Sequence, residues 1–226
     1  MFSSVVVLLS LVALSLASPA DFELVRRQSC AAYVIVDTRG TGEAQGPSIG
    51  FRTMIRTTLA AVPNGKTVET VYPASSSQIS TAGTAFIIKT VRDGIAACPE
   101  QKFLLLGYSQ GAAASVDAMK RMTSGAAFDA IVGSVLLGSP QRLPGKAANV
   151  DANGRPSDST GVSAGLPGAG IPDEFDDAGK VLDICARGDG VCSRQLGIIT
   201  APHLTYGTDR TVQRIASDFM IEKLTA

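Results

Sequence analysis

The sequence has no tryptophan and only one histidine, and aromatic residues make up just 5% of its 226 positions. Polysaccharide-binding surfaces present flat aromatic rings, so an appended carbohydrate-binding module is not expected. Neither sign of charge dominates: 20 lysines and arginines face 20 aspartates and glutamates, with no basic or acidic block. That excludes the charge footprint of a nucleic-acid partner or of an anionic membrane surface. No N-x-S/T sequon occurs, so N-glycosylation is not expected. There are four cysteines and no C-x-x-C pair, so a structural metal site lacks its ligands. After the first residues no long apolar run occurs, which argues against stable membrane insertion.

What is present starts with an apolar leader, MFSSVVVLLSLVALSLASPA. It is short for a membrane span, and Ser15-Leu16-Ala17 has the small-x-small form of a cleavage site. The expectation is a signal peptide over 1–17 and a secreted, extracellular protein. The dibasic pair Arg26-Arg27 then marks a propeptide over 18–27, followed by a single domain over 28–226. A chain with 45% hydrophobic residues is long enough to bury a sizeable core. Secretion makes the compartment oxidising, and four cysteines allow two disulfides in three connectivities. Cys185 and Cys192 flank the short loop ARGDGV and form the simplest pair, which leaves Cys30 for Cys98.

Five runs rich in apolar residues read as buried strands: Tyr33–Asp37, Thr67–Tyr72, Phe103–Gly107, Ala130–Leu137 and Lys180–Cys185. Helical patterns occupy Ser48–Val62, Thr81–Ala97, Gln110–Met122 and Thr208–Leu224. Strands alternating with helices predict a three-layer α/β sandwich around a parallel sheet of about five strands. Gln141–Gly179, rich in glycine and proline, is expected to be an irregular excursion near the site. Within it, Asp173, Glu174, Asp176 and Asp177 form an acidic run expected to face water.

The stretch LLLGYSQGAAAS carries the clearest chemistry. Gly107-Tyr108-Ser109-Gln110-Gly111 is a G-x-S-x-G pattern between a predicted strand and a predicted helix, the context of a nucleophile elbow. A serine hydroxyl is a weak nucleophile and needs a base. His203 is the only histidine, and it lies between the last predicted strand and the last helix. The orienting acid should fall between serine and histidine in chain order. Asp189, in the loop between Cys185 and Cys192, fits better than Asp183, which sits inside a strand. An oxyanion needs the N–H of the residue after the nucleophile, Gln110, and a donor from a loop after an early strand. Thr41 in TRGTGE can offer its N–H and its hydroxyl. Ile198, Ile199, Leu204, Leu166 and Ile171 are candidates for an acyl groove. The glycines of RGTGEAQG match neither a P-loop nor a dinucleotide fingerprint.

On GYSQG, CARGDGVC, APHLTYG, TRGTGE and the four cysteines, the chain resembles the fungal cutinase family from about Cys30 to near the C-terminus. Within that family it is most similar to the cutinase-like esterases of yeasts, which degrade polyesters. The resemblance implies an α/β-hydrolase-type sandwich with an exposed serine, no large lid and no cofactor. It implies the catalytic residues Ser109, Asp189 and His203, and the disulfides Cys30–Cys98 and Cys185–Cys192. It also implies an ester or polyester substrate. The family includes acetylxylan esterases with the same triad, which stand as the alternative. A monomer is the default expectation.

Overall fold

The computed structural model describes residues 30–193 and 198–226. The expected signal peptide and propeptide lie outside the described residues. Residues 31–226 form one compact unit.

The sheet has six strands. These are β1 Tyr33–Thr38, β2 Gly65–Glu69, β3 Lys102–Tyr108, β4 Ile131–Leu137, β5 Asn149–Asp151 and β6 Val181–Cys185. Their order is β2-β1-β3-β4-β6-β5, with every neighbouring pair parallel. The helices are α1 Arg52–Ala61, α2 Thr81–Ala97, α3 Gln110–Met119, α4 Gly125–Ala130, α5 Asp173–Asp177 and α6 Arg210–Thr225. Among the described residues no helix is long and apolar enough to cross a membrane.

The central strands are buried on both faces, as a parallel sheet wrapped by helices requires. Ile35, Leu104, Leu106, Val135 and Ile184 pack on one side against Met54 of α1 and Ala216 and Met220 of α6. Val34, Val36, Phe103, Leu105 and Leu136 pack on the other against Ile87 and Val91 of α2 and the alanines of α3. Side chains alternate along each strand, so YVIVD and FLLLG feed both layers in turn.

The sixth strand was not expected. β5 has three residues and pairs in parallel with β6 at the sheet edge, with one isolated antiparallel bridge from Val150 to Pro156. It lies inside the excursion expected to be irregular, as does α5. The excursion is fastened by Arg142, whose guanidinium is fully buried. Its Nη1 donates to the Asp183 carbonyl (2.6 Å) and its Nη2 to the carbonyls of Val150 and Ser157 (3.1 Å each). The acidic run does not face water as a whole. Asp173 is exposed and ion-paired with Lys146. Asp176 is buried and accepts from the N–H groups of Ala147 (3.1 Å) and Ala148 (2.8 Å), beside a fully buried Phe175.

Lys102 ties the two ends of this unit together at the start of β3. Its N–H donates to the Ala32 carbonyl (3.0 Å), and its Nζ donates to the Leu224 carbonyl in α6 (3.0 Å). This is the end of the sheet opposite the loops described next.

Candidate active site

Strand order reverses between β1 and β3, and ligands of open parallel sheets bind outside the carboxyl ends of strands at such a point. β3 ends at Tyr108 and α3 starts at Gln110, so Ser109 is the whole turn between them. Its backbone is held at φ 55°, ψ −116°, in a region that non-glycine residues rarely occupy. The glycines around it are required by contact. A Cβ on Gly107 would lie 2.6 Å from the Ala112 Cα, and one on Gly111 would lie 2.1 Å from the Thr38 carbonyl oxygen. The small residues let α3 begin directly against β1.

The Ser109 hydroxyl meets His203 Nε2 at 2.9 Å, and His203 Nδ1 meets Asp189 Oδ2 at 2.8 Å. His203 sits in a single 3-10 turn, Ala201–Leu204, and is buried. Asp189 lies beyond β6 in the loop closed by the Cys185–Cys192 disulfide, and none of the four cysteines is free. Its Oδ1 accepts from the N–H groups of Val191 (2.8 Å) and Cys192 (3.3 Å). Its Oδ2 also accepts from the Tyr206 hydroxyl at 2.5 Å. Burial alone would push the Asp189 carboxyl upward. The His203 and Tyr206 contacts and the Val191 N–H outweigh it, so the group stays below the usual carboxylate range. Tyr206 is pushed far up by burial and then by the charge of Asp189, so it remains a proton donor.

Asp183, the rival considered from sequence, is fully buried inside β6 and stands 2.8 Å from Arg142 Nη1. Burial raises its pKa to about 6 against the opposing pull of Arg142. It does not reach His203 by any hydrogen bond among the described residues.

Thr41 and Gln110 share the groove wall beside Ser109. Gln110 opens α3, so its N–H stands at the helix terminus where first-turn donors lack intrahelical partners. Its buried side chain, in the orientation that satisfies its partners, donates to Thr41 Oγ1 (3.0 Å) and the Ser75 carbonyl (3.3 Å). It accepts from the Ile79 N–H (3.3 Å). Gln78 Nε2 also donates to Thr41 Oγ1 at 3.0 Å. Two amides therefore donate to one hydroxyl, whose own hydrogen has Gln78 Oε1 as an acceptor at 3.3 Å. The loop carrying Thr41 is fixed by Glu43, whose carboxylate accepts from the N–H groups of Gly40 (2.6 Å) and Ile49 (2.7 Å).

The groove has a volume of about 390 Å³ and runs from Thr41 past Ser109 along α3. Val162, Leu166, Val191 and Ile199 give it apolar walls. Of the five residues expected there, Leu166 and Ile199 line it, while Ile198 and Leu204 are exposed outside it. Ile171 is a correction: it is buried in the core against the α3 side of the sheet.

The Cutinase family model matches residues 29–224. This chain belongs to the cutinase family. A solved cutinase-like protein from Cryptococcus sp. is 44% identical, with a TM-score of 0.82 over 88% of this chain and 97% of that one. A cutinase from Kineococcus radiotolerans is 31% identical over 80% of this chain, which spans only 58% of that protein's length. An acetylxylan esterase from Hypocrea jecorina is 27% identical over 92% of this chain and 73% of its own length. Family membership makes this cutinase-family chain a carboxylic ester hydrolase.

Three residues around the site were not singled out from sequence. Tyr206 lies three positions after His203, inside the stretch HLTYG. Gly138 directly follows β4 at φ 62°, and a Cβ there would stand 2.7 Å from His203 Cε1 and 3.0 Å from Asp189 Oδ2. A glycine closing a strand just before Ser139-Pro140 was the available signal. Gln78 had none, since it reaches Thr41 from a separate loop.

Proposed function

We propose that the protein is a secreted serine esterase that cleaves aliphatic polyesters such as cutin and short- to medium-chain esters. The observation that carries this reading is the unbroken line from Ser109 through His203 to the doubly anchored Asp189, opening on a groove with apolar walls. Ser109 Oγ attacks the ester carbonyl while His203 Nε2 takes its proton. Asp189 holds the imidazole in the tautomer with Nδ1 protonated and stabilises the cation that forms. The tetrahedral oxyanion is met by the N–H groups of Gln110 and Thr41 and by the Thr41 hydroxyl, whose oxygen the two glutamines hold in place. His203 then protonates the departing alcohol, and water activated by the same imidazole releases the acid from Ser109.

Two disulfides and the apolar leader favour an extracellular site of action. Ser109→Ala should lower hydrolysis of a chromogenic butyrate ester by about 10⁴-fold or more while leaving the melting temperature near that of the parent. Retained activity, or failure of a fluorophosphonate to label Ser109, would overturn the reading. A panel running from acetylated xylan to polyester emulsions decides the substrate. A clear preference for xylan would replace the polyester assignment with acetylxylan esterase.

A further inference from the structure

The groove has a second, polar end that the ester chemistry leaves unused. α3 is buried along most of its length, but Ala113, Asp117 and the following Lys120 are half-buried on one face. Ala113 and Asp117 line the groove one and two turns beyond Ser109. At the far end Asp117 Oδ1 accepts from Lys120 Nζ (2.9 Å) and from Gln141 Nε2 (3.1 Å). Lys120 Nζ also donates to Gln141 Oε1 (2.7 Å), and Gln141 too lines the groove.

The three side chains lock one another in place and leave unused bonding capacity. Among the described residues Asp117 Oδ2 accepts nothing, and Gln141 Nε2 keeps one of its two hydrogens. One free acceptor beside one free donor matches a hydroxyl group. A carboxylate would meet Asp117, and an ammonium would meet Lys120, so charged groups are disfavoured at this spot.

Position decides which part of the substrate arrives here. The leaving alcohol must stand at His203 Nε2 to be protonated. His203 is not among the residues that line the groove, which extends from Ser109 along α3 and is therefore assigned to the acyl part that stays on the serine. Asp117 stands eight positions beyond Ser109 along α3, a rise of about 12 Å. An extended carbon chain with bonds of about 1.5 Å covers that span in roughly nine bonds.

We propose that Asp117 and Gln141, braced by Lys120, form a subsite for a hydroxyl carried on the acyl chain about ten carbons from the scissile carbonyl. This rests on the serine esterase reading above. Ala113, with its single methyl, leaves room for the chain over the helix, and Val162, Leu166 and Ile199 cover the methylenes between the two polar ends.

The test compares p-nitrophenyl 10-hydroxydecanoate with p-nitrophenyl decanoate, using the ratio of their kcat/KM values within each protein. The wild-type ratio should favour the hydroxylated ester by about three- to tenfold, the worth of a net hydrogen bond. It should fall toward one in Asp117→Ala and, independently, in Gln141→Leu. A ratio near one in the wild type, or one unchanged in both variants, would overturn the subsite alone. Inactivity of the wild type toward both esters would overturn the esterase reading and the subsite with it.

Discussion

The hydroxyl of Tyr108 donates to the carbonyl oxygen of His203 at 2.8 Å. The residue just before the candidate nucleophile thus holds the turn that carries the candidate base, 95 positions away in sequence. The two rings also stand 5.3 Å apart. Burial raises the Tyr108 phenol well above its ordinary range, so it is a donor at any working pH. Tyr108→Phe should keep the ring and lose the bond. We expect kcat/KM for a butyrate ester to fall about three- to tenfold. Steady-state kinetics beside a thermal melt separates that loss from unfolding.

Gly138 is where His203 and Asp189 have no spare room. Gly138→Ala adds a methyl 2.7 Å from the imidazole and 3.0 Å from the carboxylate, at a φ that alanine resists. The base must move, and displacement by a fraction of an ångström is expensive in a positioned site. A loss of about 10²-fold in kcat/KM is expected. An active Gly138→Ala enzyme would show that the imidazole has room to shift without losing its function.

Tyr206 donates to the same oxygen of Asp189 that His203 uses, and its own oxygen accepts from the Ala186 N–H at 3.0 Å. Tyr206→Phe leaves that carboxylate with one fewer donor, so it draws more strongly on the imidazolium. The acid limb of the kcat/KM profile should move to higher pH, with a loss of about tenfold at the plateau. A purely structural role would lower stability without moving the limb.

Asp37 gives stability a pH dependence. It is buried at the end of β1 with one oxygen accepting from the Ser48 N–H (3.0 Å) and the other unpartnered among the described residues. Burial raises its pKa to about 7, with the charges of Glu43 and Glu69 adding to the effect. The folded state therefore holds this proton where the unfolded chain has released it. Its contribution is full below the unfolded pKa near 4 and is lost as pH rises through 7. Asp183, raised to about 6, acts in the same direction. Asp37→Asn keeps an acceptor for Ser48 and should be more stable than the parent at pH 8 by about 2–4 kcal/mol. Denaturant unfolding at pH 5 and pH 8 checks it; the gap should narrow at the lower value.

The candidate triad that the structure brings together was legible because a local rule points to each member. A serine between two glycines at a strand-to-helix junction has few other uses, and one histidine in the chain leaves one base. Asp189 was distinguishable from Asp183 because the apolar run Lys180–Cys185 placed Asp183 inside a strand. What stayed hidden depends on contacts between distant segments. β5 is three residues long and exists only because β6 offers an edge, so no periodicity announces it. Arg142 has no local signal that sets it apart, yet it satisfies three carbonyls in the interior. Ile171 looked like groove lining because hydropathy cannot tell a core side chain from an apolar wall. Gln78 and Gln141 reach the groove from separate loops, and their roles follow only from the fold.

Lys102 pins Ala32 and Leu224 at the end of the sheet opposite Ser109. Either end of the folded unit can therefore serve as an anchoring point that turns the groove outward. A chain coupled to a bead or displayed on a cell through its C-terminus would face a solid film with Ser109 uppermost.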